Sequence, residues 1–197
     1  LDGGDFVATT GHSGAGKTTL LSMLGGLSPP SSGKVVFEGA DLYDRDGDAL
    51  SEYRCENVGF VFQFASLLGA LTVEENLLLP ARFRTSRRSG DAPRARAQEL
   101  LEVVGLREKA QAYPAQLSGG QQRRVAIARA FMNEPQLILA DEPTGDLDEE
   151  TEAEVMRLFR AMNERSGTAV VLVTHDVELA RQAGRRARMH RGVLEEL

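Results

Sequence analysis

Short apolar runs, bounded by polar or turn-forming residues, recur along the chain and predict buried strands. A continuous apolar run of roughly four to eight residues is typical of a parallel strand that is covered on both faces. Five such runs occur, at Phe6–Thr10, Val58–Phe62, Leu137–Asp141, Val170–Thr174 and Ala187–His190. Helix-like patterns separate them, which favours an α/β fold with a parallel sheet and right-handed crossover helices. A shorter run at residues 35–38 predicts an additional edge strand.

The middle of the chain has a different pattern. Residues 65–133 contain no comparable strand pattern, and apolar residues recur there at helical spacing, as in Arg96–Val104 and Gln121–Met132. We therefore expect a helical subdomain over residues 65–133, inserted in a sheet core formed by residues 1–64 and 134–197. Together they are expected to form one domain, because 197 residues with 42% hydrophobic content can bury a substantial core.

Composition narrows the possible functions. A formal net charge of -6 argues against a nucleic-acid partner, since neutralising phosphates requires a concentrated basic surface. The single cysteine, Cys55, excludes an internal disulfide and a cysteine-based metal cage. The longest weakly polar stretch, Val58 to Leu71, is shorter than the roughly 20 residues of a bilayer span.

Two segments of the middle region each allow two interpretations. The first contains a cluster of arginines, which either forms a solvated face of the helical subdomain or contacts anionic lipid headgroups. These arginines are Arg82, Arg84, Arg87, Arg88, Arg94 and Arg96. The second, Phe64–Leu79, has apolar residues that either dock a protein partner or fold into the core of the subdomain.

Gly11–Thr18 fits the phosphate-binding pattern G-x-x-x-x-G-K-[ST], known as the P-loop. It lies between the first strand run and a helical pattern, so a helix N-terminus adds its positive end to the anion site. In such a loop Lys17 neutralises the β- and γ-phosphates, and the Thr18 hydroxyl ligates Mg²⁺. The nucleotide contacts expected here are Gly11, Ser13, Gly14, Gly16, Lys17, Thr18 and Thr19.

Two acidic residues, Asp141 and Glu142, stand at the end of a buried strand run. Ligands bind at the carboxyl ends of the strands in parallel sheets, so both side chains are expected at the nucleotide. Asp141 is expected to hold Mg²⁺ through its water shell. Glu142 is expected to polarise the water that attacks the γ-phosphate.

A second anion site is predicted where Leu117–Gln121 opens a helix. The Ser118 hydroxyl and the free N–H groups of Gly119 and Gly120 suit a phosphate. With the P-loop, this segment resembles the nucleotide-binding subunit of ATP-binding cassette (ABC) transporters, whose signature motif reads Leu-Ser-Gly-Gly-Gln. The resemblance implies that Ser118, Gly119, Gly120 and Gln121 contact ATP held by the P-loop of a second copy. A homodimer around two ATP molecules is therefore expected.

Three further residues match motifs of the same family in order along the chain. Gln63 resembles the Q-loop glutamine, which reaches Mg²⁺ and couples nucleotide state to the helical subdomain. His175 resembles the switch histidine that contacts the γ-phosphate, and Asp148 lies in a segment similar to the D-loop of the dimer interface. The resemblance thus implies Lys17, Glu142 and His175 as catalytic residues. The implied Mg²⁺ ligands are Thr18, Gln63 and Asp141.

The resemblance implies an ATPase that drives a separate transmembrane permease from the cytoplasmic face of the cell membrane. Residues 62–76 look most like the branch that includes lipoprotein-releasing ATPases, macrolide exporters and the cell-division ATPase, which suggests export or release of cargo. The alternative is an ABC ATPase that acts on ribosomes or DNA without a permease. Only ten residues precede Gly11, so the N-terminal strands of this P-loop NTPase fold and its adenine-stacking aromatic residue are expected to be missing here.

Overall fold

The apolar runs form strands of a sheet in the computed structural model, which describes residues 1–84, 92–145 and 147–197. In chain order the strands are β1 (Phe6–Thr10), β2 (Val36–Phe37), β3 (Ala40–Asp41), β4 (Val58–Val61), β5 (Leu137–Asp141), β6 (Ala169–Thr174), β7 (Arg185–His190) and β8 (Val193–Glu196). The helices are α1 (Lys17–Leu24), α2 (Gly47–Asn57), α3 (Val73–Leu78), α4 (Ala92–Val103), α5 (Gly119–Ala130), α6 (Glu149–Ser166) and α7 (Val177–Ala180).

The main sheet has the strand order β4-β5-β6-β1-β7-β8 within the described residues. All neighbouring pairs from β4 to β7 are parallel, so the predicted α/β class with a mostly parallel sheet is confirmed. Because these strands share one direction, the carboxyl ends of β1, β4, β5 and β6 lie at the same edge of the sheet. The P-loop, Gln63, Asp141 and His175 all follow or end these strands.

One edge of the sheet differs from the sequence prediction. β8, a strand that was not predicted, pairs antiparallel with β7, with His190 opposite Val193. The turn between them consists of Arg191 at φ 48° and Gly192 at φ 80°, which matches a two-residue hairpin turn with positive φ at both positions. The sequence signal for this hairpin is the Arg-Gly pair between two strand-like patterns.

The predicted edge strand at residues 35–38 lies outside the main sheet. Its central residues form β2, which pairs antiparallel with β3 in a separate small sheet. Glu38 and Gly39 have φ values of 50° and 81°, so the chain reverses at once and pairs with itself. The predicted short strand therefore forms, at Val36–Phe37, but it lies in this separate sheet and not at an edge of the main one.

Two hydrophobic clusters cover opposite faces of the main sheet. Side chains alternate between faces along β5, where Ile138 belongs to one cluster and Leu139 to the other. The larger cluster includes Phe131 after α5 and Phe159 of α6, both fully buried. Gly59 lets the end of α5 approach β4 closely, since a Cβ there would lie 2.3 Å from the Ala130 carbonyl oxygen.

The chain between β4 and β5 contains α3, α4 and α5, and its described residues include no strand. α4 and α5 agree with the two predicted helical runs to within about four residues at each end. The division of the chain into a sheet core and an inserted subdomain stays a prediction. Among the helices of the described ranges, none has both the length and the apolar character that a bilayer crossing requires.

Candidate active site

The P-loop folds around its own lysine. Gly16 caps α1 with φ 104°, and Lys17 begins the helix with a side chain that is largely buried. Its Nζ donates to the carbonyl oxygens of Gly11 at 2.7 Å and His12 at 3.2 Å. Gly11 must lack a side chain, because a Cβ there would lie 2.5 Å from the Met189 carbonyl oxygen. These two carbonyl oxygens thus hold the ammonium at the loop.

A hydroxyl and a carboxylate meet beside this loop. Thr18 Oγ1 donates to Asp141 Oδ2 at 2.8 Å, joining the start of α1 to the end of β5. Both oxygens are hard ligands of the kind that Mg²⁺ accepts together with phosphate oxygens and water. The sequence prediction placed both residues at the metal, and the structure brings them together.

Glu142 and His175 form a second pair at the same edge of the sheet. Oε2 of Glu142 lies 2.9 Å from Nδ1 of His175 and also accepts the backbone N–H of His175 at 3.3 Å. The pairing follows from the topology, since β5 and β6 are neighbours. The Glu142 side chain is 18% exposed and that of His175 is 75% exposed, so the imidazole borders solvent while the carboxylate is sheltered.

The backbone of Glu142 is strained. Its φ of 47° lies in the left-handed region, which costs a non-glycine residue roughly 1–3 kcal/mol and is often found at functional sites. A hydrogen bond of 2.9 Å from its N–H to the Val173 carbonyl oxygen holds this conformation. The strained turn directs the chain away from the sheet immediately after β5 and leaves the carboxylate beside His175.

Gln63 lies near the turn that follows Glu142. A Cβ added at Gly145 would lie 3.4 Å from both Cγ and Nε2 of Gln63, so the glutamine side chain packs over this glycine. No hydrogen bond in the described part of the chain joins the Gln63 side chain to Thr18 or Asp141. The predicted contact of Gln63 with Mg²⁺ stays a prediction.

The signature segment caps its own helix. Ser118 Oγ accepts the N–H of Gln121 at 3.2 Å, and the Gln121 side chain accepts the N–H of Ser118 at 3.0 Å. Ser118 and Gly119 are exposed at this helix start. Within the described ranges no hydrogen bond connects the segment to the P-loop of the same chain. The structure therefore does not unite the two predicted phosphate sites within one chain.

Asp148, which lies in the predicted D-loop, caps α6. Its carboxylate accepts the N–H of Thr151 at 2.9 Å and the Thr151 hydroxyl at 2.8 Å, and these hydrogen bonds lower the pKa of Asp148. A Cβ at Gly120 would lie 2.6 Å from Cγ2 of the same threonine. The signature and D-loop segments therefore meet at the start of α6. Asp146, also in the predicted D-loop, lies outside the described residues.

The described arginines of the cluster divide between solvent and protein, since Arg82 and Arg94 are exposed. Arg84 and Arg96 are mostly buried and lie near Glu56 at 3.8 Å and Glu99 at 2.8 Å, respectively. Arg87 and Arg88 lie outside the described residues, so the predicted choice between solvent and lipid stays open for them.

Comparison with known proteins identifies the family to which the chain belongs. Residues 1–145 match the sequence family described as "ABC transporter". The chain belongs to this family. It is 43% identical over its whole length to the lipoprotein-releasing system ATP-binding protein LolD of Idiomarina loihiensis, of which it covers 85%. Over 98% of its length it is 47% identical to the macrolide export ATP-binding/permease protein MacB of Syntrophobacter fumaroxidans, of which it spans only 27%.

Solved structures agree with this assignment. The dimeric ATP-binding cassette MJ0796, in a post-hydrolysis state bound to ADP and Pi, matches this ABC cassette with a TM-score of 0.87 and 42% identity, over 100% of this chain and 87% of that one. The predicted ABC ATPase class, with ATP as the nucleotide, is thereby confirmed, as is the predicted resemblance to lipoprotein-releasing and macrolide-export proteins. The roles assigned to individual residues stay predictions.

Proposed function

We propose that this ABC ATPase works as a homodimer around two ATP molecules and drives a transmembrane permease of the export or lipoprotein-release type. The observation that carries the proposal is the separation of its phosphate-binding elements. Thr18, Asp141, Glu142 and His175 are joined in pairs at one edge of the sheet, whereas Ser118 caps a different, exposed helix start. A second copy that supplies its signature segment would complete the site.

The residues in the site fit in-line attack by water on the γ-phosphate. The sheltered Glu142 carboxylate lies within hydrogen-bonding distance of His175, and because a carboxylate can accept about four hydrogen bonds it can also orient a water molecule. Lys17 carries the positive charge that the β- and γ-phosphates require. Thr18 and Asp141 would hold Mg²⁺, with Gln63 as the third ligand, and the bound ion would neutralise phosphate charge.

The homodimer is supported by two findings. MJ0796, the solved cassette, is dimeric. In this chain Ser118, Gly119 and Asp148 are exposed and lie around the start of α6, where Gly120 approaches Thr151. These are the residues that the family resemblance assigns to the dimer interface. The assembly would place the signature segment of each copy over the ATP of the other.

A groove beside the Q-loop is the structural feature that favours a permease partner. It is a cavity of about 970 Å³ at the β4 edge of the main sheet. Its apolar lining includes the exposed rings of Phe62 and Phe83, and its acidic residues are Asp46, Asp48 and Glu52. We propose that a short helix of the permease binds in this groove, which would place the cassette peripherally at the cytoplasmic face of the membrane.

Phe64–Leu79, the apolar segment after Gln63, contains both buried and exposed apolar side chains, so each of the two predicted interpretations applies to part of it. Leu67 packs against the larger hydrophobic cluster, whereas Phe64 and Leu68 are exposed. Asn76 fixes the segment, since its fully buried side chain exchanges hydrogen bonds with the backbone N–H and carbonyl of Leu68. Phe64 and Leu68 are therefore available to a partner, and Leu67 belongs to the core.

Co-purification of the full-length protein with a membrane protein tests the proposal. Phe62→Ser should abolish stimulation of ATP turnover when the co-purified membrane protein is returned in vesicles. Leu194→Ser is the matched control, because Leu194 has a similar exposed fraction, 49% against 45%, but lies on β8 at the opposite edge of the sheet. Equal stimulation of the Phe62→Ser and Leu194→Ser variants would contradict the proposed groove, and the absence of any membrane partner would contradict the proposed function.

A further inference from the structure

Two arginines of α5 hold the backbone of the loop that carries Gln63. Arg123 donates from Nη1 to the Phe62 carbonyl oxygen at 2.5 Å and from Nη2 to the Gln63 carbonyl oxygen. Six residues further along the helix, Arg129 donates to the carbonyl oxygens of Ser66 at 3.0 Å and Ala65 at 3.3 Å. The Q-loop backbone is therefore attached at four carbonyls to the helix that begins with the signature segment.

Arg123 also reaches the segment after the catalytic glutamate. Its Nη2 lies 3.5 Å from the Gly145 carbonyl oxygen, and Gly145 donates its N–H to the Glu142 carbonyl oxygen at 3.1 Å. The Gln63 side chain packs over the same glycine. One guanidinium thus contacts both loops that border the Thr18–Asp141 pair. Its planar fork of N–H donors suits such a multiple attachment.

The attachment is buried. Arg123 is 6% exposed, and a buried guanidinium that loses its acceptors is costly, so its contacts strongly favour one position of the two loops. Arg123 follows Ser118 by five residues on one continuous helix, which places it about 7.5 Å along the axis from the signature serine. A rigid helix of this length moves as a unit. Displacing Ser118 therefore displaces the carbonyls that Arg123 holds.

We propose that Arg123 is a positioning residue for ATP hydrolysis, which fixes Gln63 and the turn after Glu142 relative to the signature segment. The inference rests on the proposed function, because it takes the roles of Gln63 and the signature from there. In the assembled dimer, the approach of the partner's nucleotide to Ser118 would be transmitted through α5 and Arg123 to Gln63 of the same chain. The two ATP sites would in this way sense each other.

A double-mutant cycle in the full-length protein tests the inference. Arg123→Met removes the donors while keeping much of the volume, and it is made alone and together with Gln63→Ala. Arg124→Met is the matched control, since this neighbouring arginine donates to the Val104 carbonyl oxygen at 3.2 Å and touches neither loop by any described hydrogen bond. ATP turnover, the Mg²⁺ concentration for half-maximal turnover and the affinity for a fluorescent ATP analogue are measured.

Arg123→Met should lower turnover about tenfold or more and raise the Mg²⁺ requirement, because small displacements of positioned groups are expensive in catalysis. In the Gln63→Ala background the same change should lower turnover by a smaller factor, since the part of the loss that acts through Gln63 is already present there. Nucleotide affinity should stay near that of the parent, and Arg124→Met should leave both turnover and the Mg²⁺ requirement near the parent values.

Arg123→Lys serves as a second variant in case Arg123→Met fails to fold. Lysine keeps the charge but lacks the planar fork that reaches all three carbonyls, so this variant should fold and recover only part of the turnover. Equal losses from Arg123→Met in both backgrounds, or parental turnover and Mg²⁺ dependence in either variant, would overturn the inference. Absence of ATP hydrolysis by the parent protein would instead contradict the proposed function, which keeps the two failures distinct.

Discussion

Thr18 donates a 2.8 Å hydrogen bond to Asp141, although 123 positions separate them in the chain. Thr18 follows β1 and Asp141 ends β5, and these two strands are not neighbours, because β6 lies between them. The contact exists because Thr18 lies on the helix that leaves β1, at the edge where the carboxyl end of β5 also lies. A hydroxyl and a carboxylate are thereby held ready for one divalent cation beside the P-loop.

Glu142→Gln should leave ATP binding largely intact and lower turnover by about 10² or more, in the lower range for loss of a general base. The amide keeps the shape of the carboxylate but cannot polarise water in the same way. ATP should then accumulate in a stable dimer, detectable by size-exclusion chromatography. Hydrolysis at the parental rate would show that Glu142 is not the base.

Gly59→Ala should destabilise the fold by about 1–3 kcal/mol, the usual cost of overpacking a tight core. The added methyl would lie 2.3 Å from the Ala130 carbonyl oxygen and 2.4 Å from Cδ1 of Ile138. Gly69→Ala is the control, because a Cβ there would meet no atom within 4 Å. Denaturant midpoints measure both variants. Equal midpoints would contradict the close packing of α5 on β4.

Glu152→Gln should stabilise the protein at neutral pH. Burial, followed by repulsion from Asp176, raises the pKa of Glu152 above its usual value of 4.5. The protonated side chain therefore favours the folded state, and its contribution is complete below pH 4.5 and is lost as the pH rises through the raised pKa. Glutamine keeps the neutral form at every pH.

The gain in the free energy of unfolding for Glu152→Gln should accordingly be absent below pH 4.5 and appear above it. Chemical unfolding of both proteins across this range provides the measurement. A gain of the same size at pH 4 and pH 7 would show that charge is not the cause.

Much of the site could be predicted because its motifs follow buried strands. β1 and β5 have the predicted bounds, and the rule that ligands bind at strand carboxyl ends predicted the positions of Asp141 and Glu142. His175 was predicted from the family resemblance. The strand pairing of residues 35–38 and of β8 was harder to predict, because it depends on tight turns with positive φ. Such a turn decides whether a short strand pairs with its neighbour in the chain or joins the main sheet.

Arg123 was not predicted, and the reason is physical. Its neighbour Arg124 has the same chemistry, and only the rotation of α5 against β4 decides which of the two guanidinium groups faces Phe62 and Gln63. That rotation is set by packing between distant segments, such as the approach of Ala130 to Gly59. Two adjacent arginines on one helix carry no sequence signal that says which of them faces the Q-loop.

The central claim, that two copies share each ATP site, is tested most directly by mixing two inactive variants. Ser118→Arg damages the signature segment, and Lys17→Ala damages the P-loop. A mixed dimer combines one site with both defects and one intact site, built from the Lys17 of the first chain and the Ser118 of the second. Differently tagged chains, purified through both tags, confirm that mixed dimers form.

Random exchange makes half of the dimers mixed, and each has one intact site of two, so turnover should recover to about a quarter of the parental value, or to a smaller value above background where coupling between the two sites slows the intact one. Each variant alone should stay near background, and activity should fall on dilution as the dimer dissociates. ATP turnover that stays at background in purified mixed dimers, or parental turnover that is independent of protein concentration in a monomer, would contradict the account.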